Sequence, residues 1–149
     1  MDLHNLIEDV CTSFYPKLSA KNGDIQLLLT AEQHTINADK VHTINVMANL
    51  LDNAIKYSKD KTEISIRSQN RKKYIVLSIE DNGIGIPEKH LNKIFERFYR
   101  VPTGNVHNVK GFGLGLNYVK TIAKLHHWKI KVKSEHGKGT TFTLFIPFV

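Results

Sequence analysis

Two pairs of strand-like segments are each joined by a short turn, and this feature constrains the fold most strongly. Residues 62–69 and 73–80 alternate apolar and polar side chains on either side of Asn70-Arg71, and residues 128–134 and 140–147 form the second pair. Strands that follow one another without an intervening helix pair as hairpins. The sequence therefore predicts a sheet that is antiparallel or mixed.

Helical periodicity and capping residues predict helices around these hairpins. Their ranges are residues 3–20 (capped by Asp2), a helix capped by Asn37 or Asp39 and reaching about Tyr57, residues 87–95 and residues 115–126. Pro16 is expected to weaken the first helix or to end it early. The second helix has a predicted apolar stripe of Val41, Ile44, Ala48, Leu51 and Ile55.

The element order predicts an α+β fold. With a further strand at residues 25–30, it gives a two-layer α/β sandwich: a mixed, mostly antiparallel sheet of about five strands with helices on one face. Residues 99–110 show little periodicity and are predicted to form a long loop, which is either a functional lid or disordered. A chain of 149 residues fits one domain spanning residues 1–149.

Composition narrows the class of protein further. Hydrophobic residues make up 41% of the chain and charged residues 23%, which is typical of a soluble globular domain. No signal peptide and no membrane-spanning segment is predicted. The single cysteine, Cys11, excludes an internal disulfide and fits an intracellular setting. The formal net charge of +7 favours anionic partners without choosing among them.

Three polar side chains lie on one side of the second predicted helix. At 3.6 residues per turn, Asn49, Asn53 and Lys56 fall within a sector of about 60° beside the apolar stripe. An amide oxygen is a hard ligand suited to Mg²⁺, and Lys56 could meet phosphate oxygens. The alternative is that both asparagines bond backbone or water at a helix edge.

Glycine-rich turns mark three further candidate sites. Asp81-Asn82-Gly83-Ile84-Gly85-Ile86-Pro87 follows a strand, and its carboxylate could accept a hydrogen bond from an exocyclic amine; the alternative is a strand-to-helix turn. Gly111-Phe112-Gly113-Leu114-Gly115-Leu116 leads into a helix, where free N–H groups favour anions. Its spacing is not that of a dinucleotide fingerprint. Gly137-Lys138-Gly139-Thr140-Thr141 is not a Walker A motif, and it could be simply a hairpin.

Four sequence blocks follow one another in the chain: the polar helical segment from Asn49 to Tyr57 and the three glycine-rich turns. In this order, they resemble the N, G1, G2 and G3 boxes of the ATP-binding catalytic domain of sensor histidine kinases. That domain belongs to a wider superfamily shared with gyrase B, Hsp90 and MutL, the Bergerat ATP-binding fold. Phe95-Glu96-Arg97-Phe98 resembles the family's F box. The resemblance spans about residues 2–147.

The resemblance implies roles for individual residues around Mg-ATP. Asn53 would coordinate Mg²⁺, Asn49 and Lys56 would be catalytic, and Asp81 would bind the adenine amino group. The other nucleotide-binding residues implied are Tyr57, Gly83, Gly85, Ile86, Arg97, Lys110, Gly111, Gly113, Leu114, Gly115, Leu116, Thr140 and Thr141. Arg100 is a further candidate phosphate contact. Residues 97–110 would form an ATP lid anchored by Phe95 and Phe98, and Phe112 departs from the small residue common there.

The resemblance also implies the reaction and its partners. Hydrolytic relatives typically have glutamate where this chain has Asn49, which favours phosphoryl transfer over hydrolysis. None of the eight histidines has the acceptor motif, so the γ-phosphoryl group would pass to a histidine on a separate dimerisation domain, and then to a response regulator. Nucleic acid and membrane are not expected partners of this domain. It would be cytoplasmic in a membrane-bound sensor. The alternative is an ATP-driven conformational module of the gyrase B, Hsp90 or MutL type.

Overall fold

The structure, a computed structural model, describes residues 1–101 and 114–149. Within them the chain forms three α-helices and five β-strands. In chain order they are α1 (Leu3–Ser19), β1 (Asp24–Leu29), α2 (Lys40–Lys56), β2 (Glu63–Arg71), β3 (Tyr74–Asp81), α3 (Gly115–Leu125), β4 (Lys129–Glu135) and β5 (Gly139–Pro147). A 3₁₀ helix, Glu88–His90, lies between β3 and α3.

The strands form one mixed sheet in the order β1-β2-β3-β5-β4. β1 pairs with β2 in parallel, while the other three pairings are antiparallel, including both predicted hairpins. Inward side chains of the sheet and the buried faces of all three helices belong to a single hydrophobic core. The predicted α+β fold class is therefore confirmed. The register places Asp81 at the end of β3 opposite Thr140 at the start of β5.

Helix α2 begins where one of the two predicted caps lies. The Asp39 side chain accepts a hydrogen bond from the His42 N–H at 2.9 Å, which satisfies one free donor of the first turn. The predicted apolar stripe was partly wrong, because Val41 is 64% exposed. Leu51 and Ile55 of the predicted stripe are buried, and they are joined by Thr43, Val46, Met47, Leu50 and Ala54. This face is broader because α2 contacts α1, α3 and β3.

Helix α1 continues past Pro16 to Ser19, so the expected early end was wrong. Proline removes one intrahelical hydrogen bond, but tertiary packing can override this preference. Phe14 and Leu18, on either side of the proline, are both buried in the core. Their burial holds the last turn in helical form.

The predicted helix at residues 87–95 was also wrong. Pro87 has an extended ψ of 140°, and only Glu88–His90 forms a 3₁₀ helix. The segment continues as turns in which several N–H groups donate to the carbonyl three residues earlier, as from Lys93 to His90 at 2.9 Å. Such tight bonding keeps Ile94 buried without building an α-helix. Among the described residues, no helix is both long enough and apolar enough to cross a membrane.

Candidate functional site

A cavity of about 300 Å³ opens between α2, the ends of β3 and β5, and the start of α3. Eleven of the residues predicted to bind nucleotide line it. They are Asn49, Asn53, Lys56, Tyr57, Asp81, Gly85, Ile86, Leu114, Gly115, Leu116 and Thr140. Residues from four separate sequence blocks thus meet at one site.

The polar side of α2 forms one wall of the cavity. Asn49 donates from its amide nitrogen to the Asn45 carbonyl at 2.8 Å, which leaves its amide oxygen as an acceptor. Within the described residues, the side chains of Asn53 and Lys56 make no hydrogen bond and no ion pair. Asn49 therefore has the backbone partner that the helix-edge alternative predicts, whereas the side chain of Asn53 has no protein partner among the described residues.

Asp81 forms the opposite end of the cavity. Its Oδ1 accepts hydrogen bonds from the backbone N–H groups of Gly83 at 2.8 Å and Thr140 at 3.3 Å. Its Oδ2 accepts none from the described part of the chain. Burial raises the pKa of this carboxyl, and the two backbone N–H groups oppose that rise. The site thus presents a fixed, partly desolvated acceptor.

The turn after Asp81 requires glycine at one position and connects two parts of the site. Gly85 has a φ of +71°, and a Cβ there would lie 2.1 Å from the Glu135 carbonyl oxygen. One residue earlier, the Ile84 N–H donates to the Tyr57 carbonyl oxygen at 2.9 Å, just past the end of α2. This bond joins the turn directly to the helix that carries Asn53.

Some predicted residues do not line the cavity. Gly83 packs against the Tyr57 backbone, and its N–H orients Asp81. Thr141 pairs with Glu80, so strand alternation turns it to the other face of the sheet from Thr140. Arg97 is exposed outside the cavity. Lys110, Gly111 and Gly113, like Phe112 and most of the predicted lid, lie outside the described residues.

The two phenylalanines predicted to anchor the lid behave differently. Phe95 is partly buried, packs edge-on against Phe142 with ring centroids 6.3 Å apart, and accepts from Asn117 through its carbonyl at 3.1 Å. Phe98 is 66% exposed, with a φ of +66°. Packing therefore holds Phe95 but not Phe98 against the described core.

Several residues of the site were not predicted. The cavity is also lined by Asp52, Ile84, Ile94, Tyr99, Val101 and Phe142, and by Arg100, which the resemblance had suggested. Ser134 does not line the cavity, but its hydroxyl contacts two residues that do, Ile86 and Thr140. The predicted hairpin of β4 and β5 was a signal that could have placed Ser134 beside Thr140.

The fold and the site together define the class of ATP-binding catalytic domains that the sequence blocks indicate. More particularly, the chain belongs to the histidine kinase-, DNA gyrase B-, and HSP90-like ATPase family, whose sequence model matches residues 38–149.

Sensor proteins are among the relatives. Sensor protein RprX of Bacteroides fragilis is 44% identical over 151 residues, an alignment covering 100% of this chain and 29% of RprX. Sensor histidine kinase YkoH of Bacillus subtilis is 41% identical over 126 residues, covering 85% of this chain and 27% of YkoH. This chain therefore spans less than a third of the length of these relatives.

Solved structures show the same architecture. The nucleotide-free catalytic domain of histidine kinase ThkA superposes with a TM-score of 0.84 at 29% identity, covering 99% of this chain and 93% of that one. ThkA in complex with response regulator protein TrrA gives a TM-score of 0.80 at 27% identity, covering 100% of this chain and 41% of that one. Almost the whole of this chain thus superposes on the catalytic domain of ThkA.

Proposed function

We propose that this chain binds Mg-ATP and donates the γ-phosphoryl group to a histidine on a separate dimerisation domain of a sensor kinase. One observation carries the proposal: a single cavity joins a fixed carboxylate acceptor at one end to an amide and an ammonium at the other that have no hydrogen-bond partner among the described residues. Membership of the ATPase family and the similarity to sensor kinases support it.

The base would bind at the Asp81 end. A carboxylate oxygen with no partner among the described residues can accept a hydrogen bond from the adenine amino group. Thr140, buried beside it, would complete this end, and Gly85 and Ile86 would lie along the base. Gly83 would act indirectly, by holding Asp81 through its N–H. Thr141 would not reach the base from its present position, and Arg97, a candidate phosphate contact, does not line the cavity.

The phosphates and the metal would bind along α2. The residues fit Mg²⁺: Asn53 offers a neutral oxygen, Asn49 lies one turn away, and the described residues hold no cluster of three His, Cys, Asp or Glu side chains that would suit a different metal. When bound, Mg²⁺ neutralises charge on the transferring phosphoryl group. Lys56 would add positive charge beside the phosphates, with Tyr57 next to it. Gly115 and the start of α3 would offer backbone N–H groups.

Transfer rather than hydrolysis is proposed because no carboxylate stands at position 49. Asn49 cannot act as a general base for water, because an amide does not take up a proton at neutral pH. The acceptor histidine would come from the dimerisation domain, and a response regulator would receive the phosphoryl group afterwards, as the ThkA–TrrA complex suggests. Such a domain would work in the cytoplasm as part of a membrane-bound sensor.

Phosphotransfer between separate chains tests this function. The chain is incubated with ATP labelled at the γ-phosphorus and Mg²⁺, either alone or with a separately expressed dimerisation domain. We expect acid-labile phosphate on the dimerisation domain and none on this chain. The matched control is a dimerisation domain whose acceptor histidine is replaced by glutamine.

Three outcomes would contradict the proposal or one of its parts. Stable acid-labile phosphate on this chain alone would show an acceptor within it. Rapid release of inorganic phosphate without any transfer would favour the conformational ATPase alternative, and wild-type activity in Asn53→Ala would remove Asn53 from the metal site.

A further inference from the structure

The Ser134 hydroxyl lies at the centre of three polar contacts behind the base end of the cavity. Its Oγ is 2.7 Å from the Ile86 nitrogen, 2.9 Å from the Gly139 carbonyl oxygen and 2.8 Å from Thr140 Oγ1. Ser134 faces Thr140 directly in the register of β4 and β5. One side chain therefore links the turn after β3 to the start of β5.

The chemistry of the partners fixes the direction of each hydrogen bond. A backbone N–H can only donate, so Ser134 accepts from Ile86; a carbonyl oxygen can only accept, so Ser134 donates its one proton to Gly139. The contact with Thr140 then has to use the remaining lone pair of Ser134. Thr140 is accordingly the donor in that contact.

This assignment determines what Thr140 presents to the cavity. Thr140 lines the cavity. Because its one hydroxyl proton is directed at Ser134, Thr140 Oγ1 can offer only lone pairs to a bound ligand. Its neighbour Asp81 is also an acceptor, since Oδ1 already takes two backbone N–H groups and the carboxylate carries no proton to give. The two side chains together form a wall of acceptors.

We infer that Ser134 is a positioning residue that sets nucleotide specificity by fixing the direction of the Thr140 hydroxyl. This inference rests on the proposed function. The wall of acceptors favours a purine with an amino group at position 6 and disfavours a purine with an oxo group there, because an oxo group meets no donor. Without the Ser134 oxygen, the Thr140 hydroxyl is free to rotate and to donate toward a 6-oxo group.

The test compares ATP with inosine triphosphate, which carries a 6-oxo group. Affinities of both nucleotides with Mg²⁺ are measured by calorimetry for the wild-type chain, Ser134→Ala, Ser134→Thr, Thr140→Val and the double variant. The wild-type chain is expected to prefer ATP. In Ser134→Ala the ratio of ATP to inosine triphosphate affinity is expected to fall about fivefold, the effect of roughly one hydrogen bond. Ser134→Thr, which keeps a hydroxyl, retains the wild-type ratio.

Thr140→Val separates the proposed role from a merely structural one. Removing the Thr140 hydroxyl is expected to lower the ratio and to abolish any further effect of Ser134→Ala in the double variant. A general loosening of the site would lower both affinities alike and leave the ratio unchanged. If Ser134→Ala does not fold, Thr140→Val alone still tests whether that oxygen faces the base.

Failure of the inference and failure of the proposed function give different results. An unchanged ratio in Ser134→Ala or in Thr140→Val, with ATP still bound, overturns the inference alone. An equal effect of Ser134→Ala with and without the Thr140 hydroxyl overturns it as well. A wild-type chain that binds neither nucleotide overturns the proposed function together with the inference.

Discussion

The two ends of the cavity are built differently. At the Asp81 end, where the base is proposed to bind (the base end), backbone N–H groups from two directions hold the carboxylate, and the sheet register fixes Thr140 beside it. Along α2, where the phosphates are proposed to bind (the phosphate end), the side chains of Asn53 and Lys56 have no hydrogen-bond partner in the described part of the chain. One end is therefore organised before any ligand binds, while the other has polar groups ready for a charged ligand.

Because of this difference, some substitutions in the cavity should affect the stability of the domain and others should affect only ligand binding. A group tied into the backbone contributes to folding, so its loss costs stability as well as affinity. A polar side chain without partners contributes little to folding, so its loss should change binding alone. Substitutions at the backbone-tied groups and at the side chains without partners can therefore be distinguished by measuring stability and affinity separately.

Gly139→Ala is expected to destabilise the domain most. A Cβ at this position would lie 2.0 Å from the Asp81 carbonyl oxygen, with φ at +140°, so the backbone of the base end has to move. We expect a loss of roughly 3 kcal/mol or more in the free energy of unfolding, measured by urea denaturation.

Gly137→Ala is the matched control for this change. Its φ is also positive, at +89°, but a Cβ there would meet nothing within 4 Å among the described residues. It should show only the backbone strain, about 1–2 kcal/mol. Equal losses in the free energy of unfolding of the two variants would mean that the backbone at the base end can move to accept a Cβ. The proposed difference between the two ends of the cavity would then be wrong.

Asp81→Asn should separate binding from folding at the base end. The amide keeps one oxygen for the Gly83 and Thr140 N–H groups but replaces the second oxygen with a donor. We expect ATP affinity to fall about 10- to 100-fold, as for one hydrogen bond to a charged group, measured by calorimetry.

Stability should not fall in Asp81→Asn at neutral pH, since burial disfavours the charged carboxylate. In Asp81→Ala both N–H groups lose their acceptor, and a loss of about 1–3 kcal/mol is expected in urea denaturation. Full ATP affinity in Asp81→Asn would remove this residue from the base site.

Asn53→Ala should change magnesium-dependent binding without changing stability. We expect the variant to bind ATP equally well with and without Mg²⁺, and to bind adenosine like the wild-type chain. The free energy of unfolding should stay within about 0.5 kcal/mol of wild type. Asn45→Ala, two turns earlier on α2 and outside the cavity, is the control and should keep the magnesium effect. A large loss of stability in Asn53→Ala would show that the phosphate end is also tied into the fold.

The pH dependence of stability gives the smallest effect. The raised pKa of Asp81 means that, between its ordinary value of 3.8 and its value in the folded state, the folded chain binds more protons than the unfolded chain. Its contribution to stability is therefore present below pH 3.8 and is lost as the pH rises through the folded-state pKa. Relative to Asp81→Asn, the wild-type chain should lose stability as the pH rises from 4 to 7, measured by urea denaturation. The opposite trend would show that the backbone N–H groups outweigh burial.

The hairpins explain why the fold could be predicted from the sequence. Two directly joined strand pairs leave few arrangements of the sheet, and α2 has a clear cap at Asp39. The local errors came from tertiary packing. Pro16 lies inside α1 because Phe14 and Leu18 are buried around it, and Val41 is exposed because α2 turns a different face to its neighbours.

Candidate site residues could be predicted where they belong to a sequence motif. They could not be predicted where only the strand register places them in the site. Asp81 and Asn53 belong to recognisable blocks, and both line the cavity. Thr140 and Thr141 could not be separated, because a shift of one residue in a strand reverses the face. Ser134 has no motif of its own, and its position became evident only with the register of β4 and β5.

The hydrogen bond from the Ile84 N–H to the Tyr57 carbonyl oxygen has a consequence for ligand length. It fixes the turn proposed to hold the base against the end of the helix that carries Lys56 and Asn53. In the proposed binding mode, the distance from base to phosphates would therefore be set by the protein and not by the ligand. A molecule whose base and charged groups are separated by a different span can satisfy one end of this site, but not both.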